Sequence, residues 1–393
     1  MFNSMLLEEM LVEDQRKDTL LYAGSVKVNI TDWFFFKDKI ELKYIGLKDA
    51  KIHLNRTGTT WNYQFLLNYF SGPPKPGKQK NINLNLNKVE LDNIEIVQQD
   101  GWRGEDMRAT IKALDLDAEE MNFNKKLFRI RSIHMDGPMF ALYDYDGRRP
   151  VIPDSLRVAD KEIVNDPLHL RWNPDGWAIY VNHVEIHDGT FRADQQTNRE
   201  LYPNFDGAHI VFASINGSMS DVKFLKDTVT AAISMQSKER SGFEVKQLTA
   251  NMKMQPEAME FFSLDLQTNK SHLHDYFSMR YLSFDDMQHF MSRVRMEGHF
   301  NKSTISSDDI AYFAPQLKNW KKNITIDGKV SGSVDNLNGK NLVVQAGKDT
   351  YLKGNISLAG LPDINKTYID FEADDFRTTY NDAIVLVPVL KKI

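Results

Sequence analysis

The sequence has no cysteine among its 393 residues. Thiolate metal sites and disulfide bonds are therefore excluded. A chain without cysteine is compatible with an oxidising compartment outside the cytoplasm, although cysteine-free chains occur in the cytoplasm as well.

The sequence also has no block of like charge. Its 49 basic and 54 acidic residues leave a net charge of −5. A nucleic-acid-binding protein would carry a basic patch or stripe, so this class of function is excluded.

Long hydrophobic runs are missing too, because no stretch approaches the roughly 18 apolar residues of a membrane-spanning helix. The best run, residues 384–390, is short and contains Pro388. Glu8, Glu9 and Glu13 interrupt the first apolar positions too early for a signal peptide. Since the chain begins and ends within patterned sequence, we expect a fragment of a longer protein whose targeting segment lies upstream.

The most strongly patterned stretch is residues 81–97, NINLNLNKVELDNIEIV, in which asparagines alternate with apolar residues. Side chains alternate between the two faces of a strand, so the pattern predicts one apolar and one polar face. The apolar set moves from even positions to odd ones at Val89 and back to even ones at Ile94. Each move predicts a turn or a bulge that keeps the apolar residues on one face.

Similar alternation recurs along most of the chain, at intervals of roughly 40–50 residues. Asp-Gly pairs, which favour hairpin turns, follow many of the strands; the aspartates are Asp100, Asp136, Asp146, Asp175, Asp188, Asp206 and Asp327. We therefore predict a mainly all-β fold, an elongated, curved antiparallel β-sheet with a taco-like groove and a few short amphipathic helices. A final strand is expected over residues 384–390.

Helical spacing of apolar residues predicts three helices, at residues 60–70, 283–294 and 307–320, with Thr60, Ser283 and Ser307 as N-caps. Four prolines mark residues 148–175 as a loop-rich join. The predicted organisation is a first β-groove module at 1–147, the join, and a second module at 176–393.

Two sets of histidines are candidate metal ligands. His183, Glu185 and His187 alternate on one strand, and two histidines with a carboxylate can bind zinc. The spacing along a strand is awkward for one tetrahedral ion, and a solvated strand face explains the pattern better. His272 and His274 form another pair on one face, with no third ligand nearby in sequence, so we predict no metal site and no cofactor.

Motifs for catalysis or nucleotide binding are not supported. Residues 72–78 match G-x-x-x-x-G-K, but three prolines remove N–H groups that a phosphate site needs. Carboxylate pairs such as Asp144 with Asp146 or Asp308 with Asp309 are explained by turns and caps. Residues 100–106 form the densest polar and aromatic cluster, which we interpret as a hairpin turn around Trp102 rather than a binding loop.

Seven short segments together resemble a known family. They are 18–24 (DTLLYAG), 61–65 (WNYQF), 100–104 (DGWRG), 239–243 (ERSGF), 311–315 (AYFAP), 330–337 (VSGSVDNL) and 360–363 (GLPD). Spread over essentially the whole chain, they resemble the N-terminal half of the TamB-type translocation and assembly module proteins, within the AsmA-like group of Gram-negative envelopes.

The resemblance implies a non-enzymatic protein of the periplasm, anchored in the inner membrane by an N-terminal helix that this chain lacks. It implies phospholipid as cargo and an outer-membrane assembly protein of the BamA/TamA type as partner, in outer-membrane biogenesis. The implied role is a bridge that carries acyl chains in a hydrophobic groove. A scaffold for assembling outer-membrane β-barrels and a closed β-sandwich adhesin or structural protein stay open as alternatives.

A groove needs a continuous apolar lining, and an exposed apolar patch usually marks a binding or membrane site. The predicted lining consists of the apolar members of the alternating strands. They are Val26, Val28, Ile30, Ile40, Leu42, Ile82, Leu84, Leu86, Ile94, Ile96, Ile111, Ile130, Ile179, Val181, Val184 and Ile186.

Overall fold

A computed structural model describes residues 4–30, 39–56, 58–70, 81–148, 172–282, 284–361, 363 and 366–386. The fold is mainly β, with few and short helices, as the alternation predicts. The chain divides into two compact units: unit 1 comprises Met1–Glu200 and Ala208–Asp227, and unit 2 comprises Leu201–Gly207 and Thr228–Ile393. This division falls after residue 227, whereas the sequence-based boundary is the join at 148–175, of which residues 149–171 lie outside the described residues.

The described part of unit 1 forms nine strands. They are β1 (Ser4–Glu13), β2 (Thr19–Ile30), β3 (Lys39–Arg56), β4 (Asn81–Asp100), β5 (Glu105–Asn122), β6 (Leu127–Asp136), β7 (Met139–Asp144), β8 (Ala178–Gln195) and β9 (His209–Leu225). Neighbouring strands pair in antiparallel fashion except at β3–β4, β6–β8 and β7–β8, which are parallel. The parallel pairs are possible because a long connection precedes β4 and another precedes β8.

Unit 2 contributes nine further strands, each antiparallel to the next. They are β10 (Thr228–Glu239), β11 (Glu244–Gln255), β12 (Ala258–Thr268), β13 (His272–Arg280), β14 (Arg295–Ser306), β15 (Asn323–Ser333), β16 (Asn336–Ala346), β17 (Thr350–Ala359) and β18 (Tyr368–Arg377).

Bulges cross unit 1 at one level of its strands. Asp49 and Asn93 have φ of 50° and 55°, and both fall where the strand register skips a residue. The Asn93 Nδ2 atom donates to Asp49 Oδ1 at 2.6 Å, which ties the two bulges together. Because a bulge inserts one extra residue, the apolar side chains return to the same face after it. The change of period at Ile94 therefore marks a bulge, as predicted.

Three Asp-Gly pairs lie inside or between collinear strands instead of at hairpin turns. Gly137, Asp188 and Gly328 have φ of 55°, 50° and 120°. Strands β6 and β7 both pair with β5 and β8, so Asp136-Gly137 interrupts one strand line instead of reversing it. A bulge and a hairpin turn both need a positive φ, so the dipeptide alone does not distinguish them.

The helices are shorter than predicted. Helix α1 spans Gln64–Phe70, so it begins four residues after Thr60. Within 283–294 a 3-10 helix, Phe284–His289, leads into α2, Phe290–Arg293. Residue 283 lies outside the described residues.

The prediction of one helix over 307–320 is wrong in its length and its cap. Helix α3 spans only Ser307–Ile310, and its N-cap is Ser306, whose Oγ accepts from Asp308 N. A 3-10 turn, Pro315–Leu317, follows after Ala314, whose φ of −128° and ψ of 82° are not helical, because a proline disfavours helical geometry in the residue before it.

The strand predicted at 384–390 is also wrong for its described part. Helix α4 spans Tyr380–Leu386. Thr379 lies just before it, and its Oγ1 accepts from Asp382 N at 3.3 Å, which is the usual N-cap interaction. Residues 387–390 lie outside the described residues.

Candidate functional site

The apolar residues of unit 1 line up in rows that run from strand to strand. In an antiparallel or parallel pair, residues directly opposite each other share a face of the sheet. The central row comprises Val26, Leu47, Leu91, Leu114, Met135 and Ile186, each opposite the next on the neighbouring strand. Adjacent strands are about 4.8 Å apart, so these five steps span about 24 Å.

A second row runs beside the first. It comprises Val28, Ile45, Val89, Leu116, Ile133, Val184 and Met219. A third row, Ile96, Ala109, Phe140, Phe191 and Phe212, lies on the other side. We call the surface formed by these three rows the apolar face of unit 1.

Five residues of the predicted lining belong to these rows: Val26, Val28, Ile96, Val184 and Ile186. Five others lie on the same strands outside the rows and also oppose apolar partners: Ile94, Ile111, Ile130, Ile179 and Val181. Leu86 joins the same hydrophobic cluster as Ile130 and Val181. The side chains of Ile30, Ile40, Leu42, Ile82 and Leu84 lie outside the described residues.

Four residues of the central row were missing from the predicted lining. Leu47, Leu91, Leu114 and Met135 follow the alternation of their own strands, but on each strand a skipped register position separates them from the predicted residues and changes their numbering parity. The change of period at Val89 is the signal that would have found Leu91.

Packing on this face is lateral. One cluster joins Leu86, Ala118, Met121, Ile130, Val181 and Val184, and another joins Ala23, Ala50 and Ile94. The partners packed against them, such as Val89, Leu116 and Met135, belong to adjacent strands of the same face. The residues of these two clusters thus form their contacts side by side within one sheet.

The side chains at the margins of the face are more accessible. On β1, Met5 and Leu7 are 42% and 41% exposed, and they oppose Val28 and Val26. Phe140, on the third row, is 39% exposed. Large apolar side chains therefore meet solvent next to the buried clusters.

The opposite face of unit 1 carries charge. Cross-strand ion pairs join Lys48 to Asp92 at 3.3 Å and Lys88 to Asp115 at 3.3 Å, with all four side chains 45–59% exposed. Exposed ion pairs of this kind contribute at most about 1 kcal/mol each to the free energy of unfolding. Their main effect is to keep this face polar and hydrated.

His183, Glu185 and His187 lie on this charged face and do not converge. The His187 Nδ1 atom is 3.0 Å from Asp136 Oδ1, whereas Glu185 Oε2 is 3.0 Å from His134 Nδ1. His187 and Glu185 are thus engaged with β6, and the centroid of the His183 ring lies 6.1 Å from that of His134 on the same strand. The hydrogen bond to His187 lowers the pKa of Asp136.

The segment 100–106 forms the β4–β5 turn. The buried Asp100 carboxylate accepts from Arg56 Nε at 2.9 Å and from Arg103 N at 3.1 Å. Burial would raise the pKa of Asp100, but these hydrogen bonds outweigh it and the pKa is lowered. Gly104, with φ of 80°, is approached by the Tyr145 carbonyl oxygen so closely that a Cβ there would lie 2.0 Å away. The cluster is a structural turn.

Helix α1 lies beside the strand ends. Asn62 Oδ1 accepts from Asn55 N at 3.0 Å, and Asn62 Nδ2 donates to His53 O at 3.0 Å. A cavity of about 710 Å³ opens between the helix and residues such as Asp14 and Gln99. Its lining mixes polar side chains such as His53 and Asn55 with apolar ones such as Leu54 and Phe65.

Other candidates are placed as follows. The 72–78 segment lies outside the described residues. Asp308 pairs with Lys270 and Lys321 at 2.6 and 2.7 Å, and Asp309 accepts hydrogen bonds from the β12–β13 turn. These two carboxylates are engaged structurally, in agreement with the interpretation as turn and cap residues.

Within the described residues, no helix is both long enough and apolar enough to cross a bilayer. A scan of the chain against protein-family models and a search of curated proteins found no match.

Proposed function

We propose that this chain is part of a bridge-like lipid carrier whose apolar face holds the acyl chains of phospholipids. The observation that carries the proposal is the set of three in-register apolar rows on one face of unit 1, opposite a charged face. Such a surface gives an acyl chain a continuous apolar path across the strands, and movement along that path requires no catalytic residue.

The energetics suit a sliding ligand. Each buried methylene of an acyl chain contributes about 0.8 kcal/mol. A chain lying along the central row meets Leu, Val, Ile and Met side chains at successive strands, without a charged residue in the row. The ligand therefore gains free energy at each step and meets no polar trap.

The biological setting of the proposal rests on the resemblance described above. In that setting the chain belongs to a TamB-type, AsmA-like protein of the periplasm, anchored in the inner membrane by a segment outside this chain. An outer-membrane assembly protein of the BamA/TamA type would be its partner at the far membrane.

Residues Leu114 and Ala113 provide a matched test, because they are adjacent on β5 and lie on opposite faces. Leu114 is a half-buried member of the central row, and Ala113 is exposed opposite Asp92. A photo-crosslinking amino acid at Leu114 should give lipid adducts in envelope-containing cells, and the same group at Ala113 should give few.

A charge at the same two positions provides a functional test. Leu114→Glu should lower lipid capture several-fold, because a carboxylate in an apolar row must be desolvated, whereas Ala113→Glu should leave it unchanged. Hydrogen exchange would check that both variants keep the strands folded. Client-protein adducts at Leu114 in place of lipid would favour the β-barrel scaffold, and adducts of neither kind would favour a closed structural protein.

A further inference from the structure

Three ligand side chains meet on the polar side of unit 2, where β12 and β13 pair. His272 and His274 alternate with Leu273 along β13, so the two imidazoles share a face. Asp265 lies on β12 directly opposite His274. We propose that Asp265, His272 and His274 form a binding site for a divalent transition-metal ion, of which Zn²⁺ is the best match.

The distances fit one ion. The three side chains each offer one ligand atom, and these atoms all lie within 4.8 Å of one another. His272 Nε2 is 2.7 Å from Asp265 Oδ1, and the two imidazole centroids are 3.8 Å apart. Ligands at about 2.0–2.2 Å from a tetrahedral zinc ion are separated by roughly 3.4 Å, so small side-chain rotations bring the set into position.

The backbone that carries His272 is fixed by a buried carboxylate. Asp309 Oδ2 accepts from Ser271 N at 2.7 Å and from Lys270 N at 3.0 Å, and it also contacts the Thr268 hydroxyl. These bonds hold the four-residue turn immediately before His272. A metal ligand on a restrained backbone loses less conformational entropy when it binds.

The backbone of His274 is held as well. Its N–H donates to the Ser303 Oγ atom of β14 at 2.9 Å, and Ser303 is fully buried. Both histidines are therefore anchored through their main chains, and the carboxylate that contacts the His272 ring, Asp265, is itself a member of the ligand set. The three side chains are half-buried, so the fourth ligand position faces solvent and would be filled by water.

The donor set selects the class of metal. Two imidazole nitrogens and one carboxylate favour Zn²⁺ and its neighbours in the first transition row, whereas Mg²⁺ and Ca²⁺ prefer all-oxygen sites. The site joins two adjacent strands across one pairing, so an ion there would lock the register of β12 and β13.

This group differs from the other histidines of the chain. Within the part that the structure describes, Asp265, His272 and His274 are the only three such ligands close enough to share an ion. The His183 and His187 rings engage separate partners on β6, as described above. The inference is independent of the proposed lipid role, since Asp265, His272 and His274 lie on the face opposite Leu266 and Leu273 of the same two strands.

Zinc titration of the tag-free protein, in competition with a chromophoric chelator, tests the proposal. The wild-type chain should bind one Zn²⁺ tightly. His274→Ala and the near-isosteric Asp265→Asn should each weaken binding by at least about tenfold, because even the outer-shell partners of metal ligands have effects of this size. Co²⁺ should give the intense visible absorption of a tetrahedral site in the wild type and lose it in both variants.

His299→Ala is the matched control. His299 is also half-buried on the polar face, on β14, and its Nε2 lies 2.7 Å from Glu297 Oε1. This variant should bind zinc as the wild type does, and zinc should raise the thermal midpoint of both but not of His274→Ala. Absence of stoichiometric zinc binding, or equal affinity in the wild type and His274→Ala, would overturn the proposal.

Discussion

The two units alternate apolar and polar residues in the same way, but they fill their apolar faces differently. The central row of unit 1 consists mainly of Leu, Ile and Val, with Met135 as its single methionine. The corresponding row of unit 2 runs through Met254, Met259, Met279 and Met296 to Gly332. Methionine is unbranched and adapts to irregular shapes, whereas valine and isoleucine are restricted in χ1 and leucine, branched at Cγ, has fewer rotatable bonds than methionine.

Glycine accentuates the difference. In unit 2, Gly298 and Gly339 stand on the apolar face opposite Phe277 and Ile356, and a Cβ at Gly298 would lie 2.5 Å from the Phe300 ring. Large neighbouring side chains occupy the space above the glycines. The packing of this face therefore depends on side chains that bend over a neighbouring residue, and not on side chains of equal size packed against each other. We infer that unit 1 presents a firm apolar face and unit 2 an adaptable one.

The units also differ in how they hold their buried turn carboxylates. Asp100 in unit 1 is paired with the Arg56 guanidinium, and the two side chains are only 3% and 14% exposed. Asp309 in unit 2 is held by the Thr268 hydroxyl and two backbone N–H groups. Removal of the first should leave a buried charge, and removal of the second should leave unpaired neutral groups.

The largest expected effect is that of Asp100→Ala. The variant should lose about 3–5 kcal/mol of unfolding free energy, because Arg56 becomes an uncompensated buried cation. Asp309→Ala should cost about 1–3 kcal/mol, the usual penalty for unsatisfied neutral donors. Chemical denaturation, monitored by hydrogen exchange in β4 for Asp100→Ala and in β12 for Asp309→Ala, measures the two losses. Equal losses in the two variants would contradict the comparison.

Asp92→Ala serves as the control for Asp100→Ala. Asp92 also pairs with a cation, Lys48, but both side chains are nearly 60% exposed. The expected loss is at most about 1 kcal/mol.

The next effect comes from shortening the two apolar faces. Ile94 is 5% exposed and packs with Ala23 and Ala50, so Ile94→Ala should leave a cavity and cost about 2–5 kcal/mol. Met279 is only half-buried, between Met259 and Met296, which can shift to fill the space. The loss of unfolding free energy in Met279→Ala should therefore lie at or below the lower end of that range. A larger loss for Met279→Ala in denaturant titrations would show that unit 2 is the firmer one.

Acid should weaken the β4–β5 turn of unit 1 before it weakens β18 of unit 2. The pKa of Asp100 is lowered on folding, and so is that of Asp194, where burial is outweighed by hydrogen bonds from Arg192 and His209. Lowered carboxyl pKa values stabilise the fold above the unfolded value, near 4, and this stabilisation is lost as the pH falls through the folded value.

In unit 2, Arg377 also lowers the pKa of Asp375, but those side chains are 70% and 41% exposed and solvent screens them. Hydrogen exchange at decreasing pH should show protection lost at the β4–β5 turn while that of β18 changes little. Loss of protection in β18 first would contradict the expectation.

The sequence predicted the strands because their alternation is local. The jump in period before Ile94 even located a bulge, since Asn93 takes a positive φ there. The helices were overextended, because apolar spacing at Ile310, Phe313 and Leu317 does not register the break that Pro315 imposes. The parallel pairing of β3 with β4 was not predicted either. It depends on the path of the connection between the two strands, and the alternation of apolar residues carries no information on that path.

The candidate sites show the same division between local and distant information. Which residues are apolar on each strand was predictable, but which of them oppose each other depends on register, as Leu47, Leu91 and Leu114 illustrate. The third ligand beside His272 and His274 lies on another strand, and only the pairing of Asp265 with His274 brings it there.

Exchanging the character of the two faces should affect ligand choice more than stability. Replacement of Met254, Met259, Met279 and Met296 by leucine conserves volume and should cost less than about 1.5 kcal/mol at each position. The variant should nevertheless discriminate more strongly between straight and kinked acyl chains, because leucine adapts less to an irregular ligand than methionine does. Competition of saturated and cis-unsaturated fatty acids against a fluorescent fatty acid measures that ratio. The converse variant, with Leu47, Leu91 and Leu114 replaced by methionine, should discriminate less between the two kinds of fatty acid. An unchanged affinity ratio in both variants would mean that the two faces do not differ in adaptability.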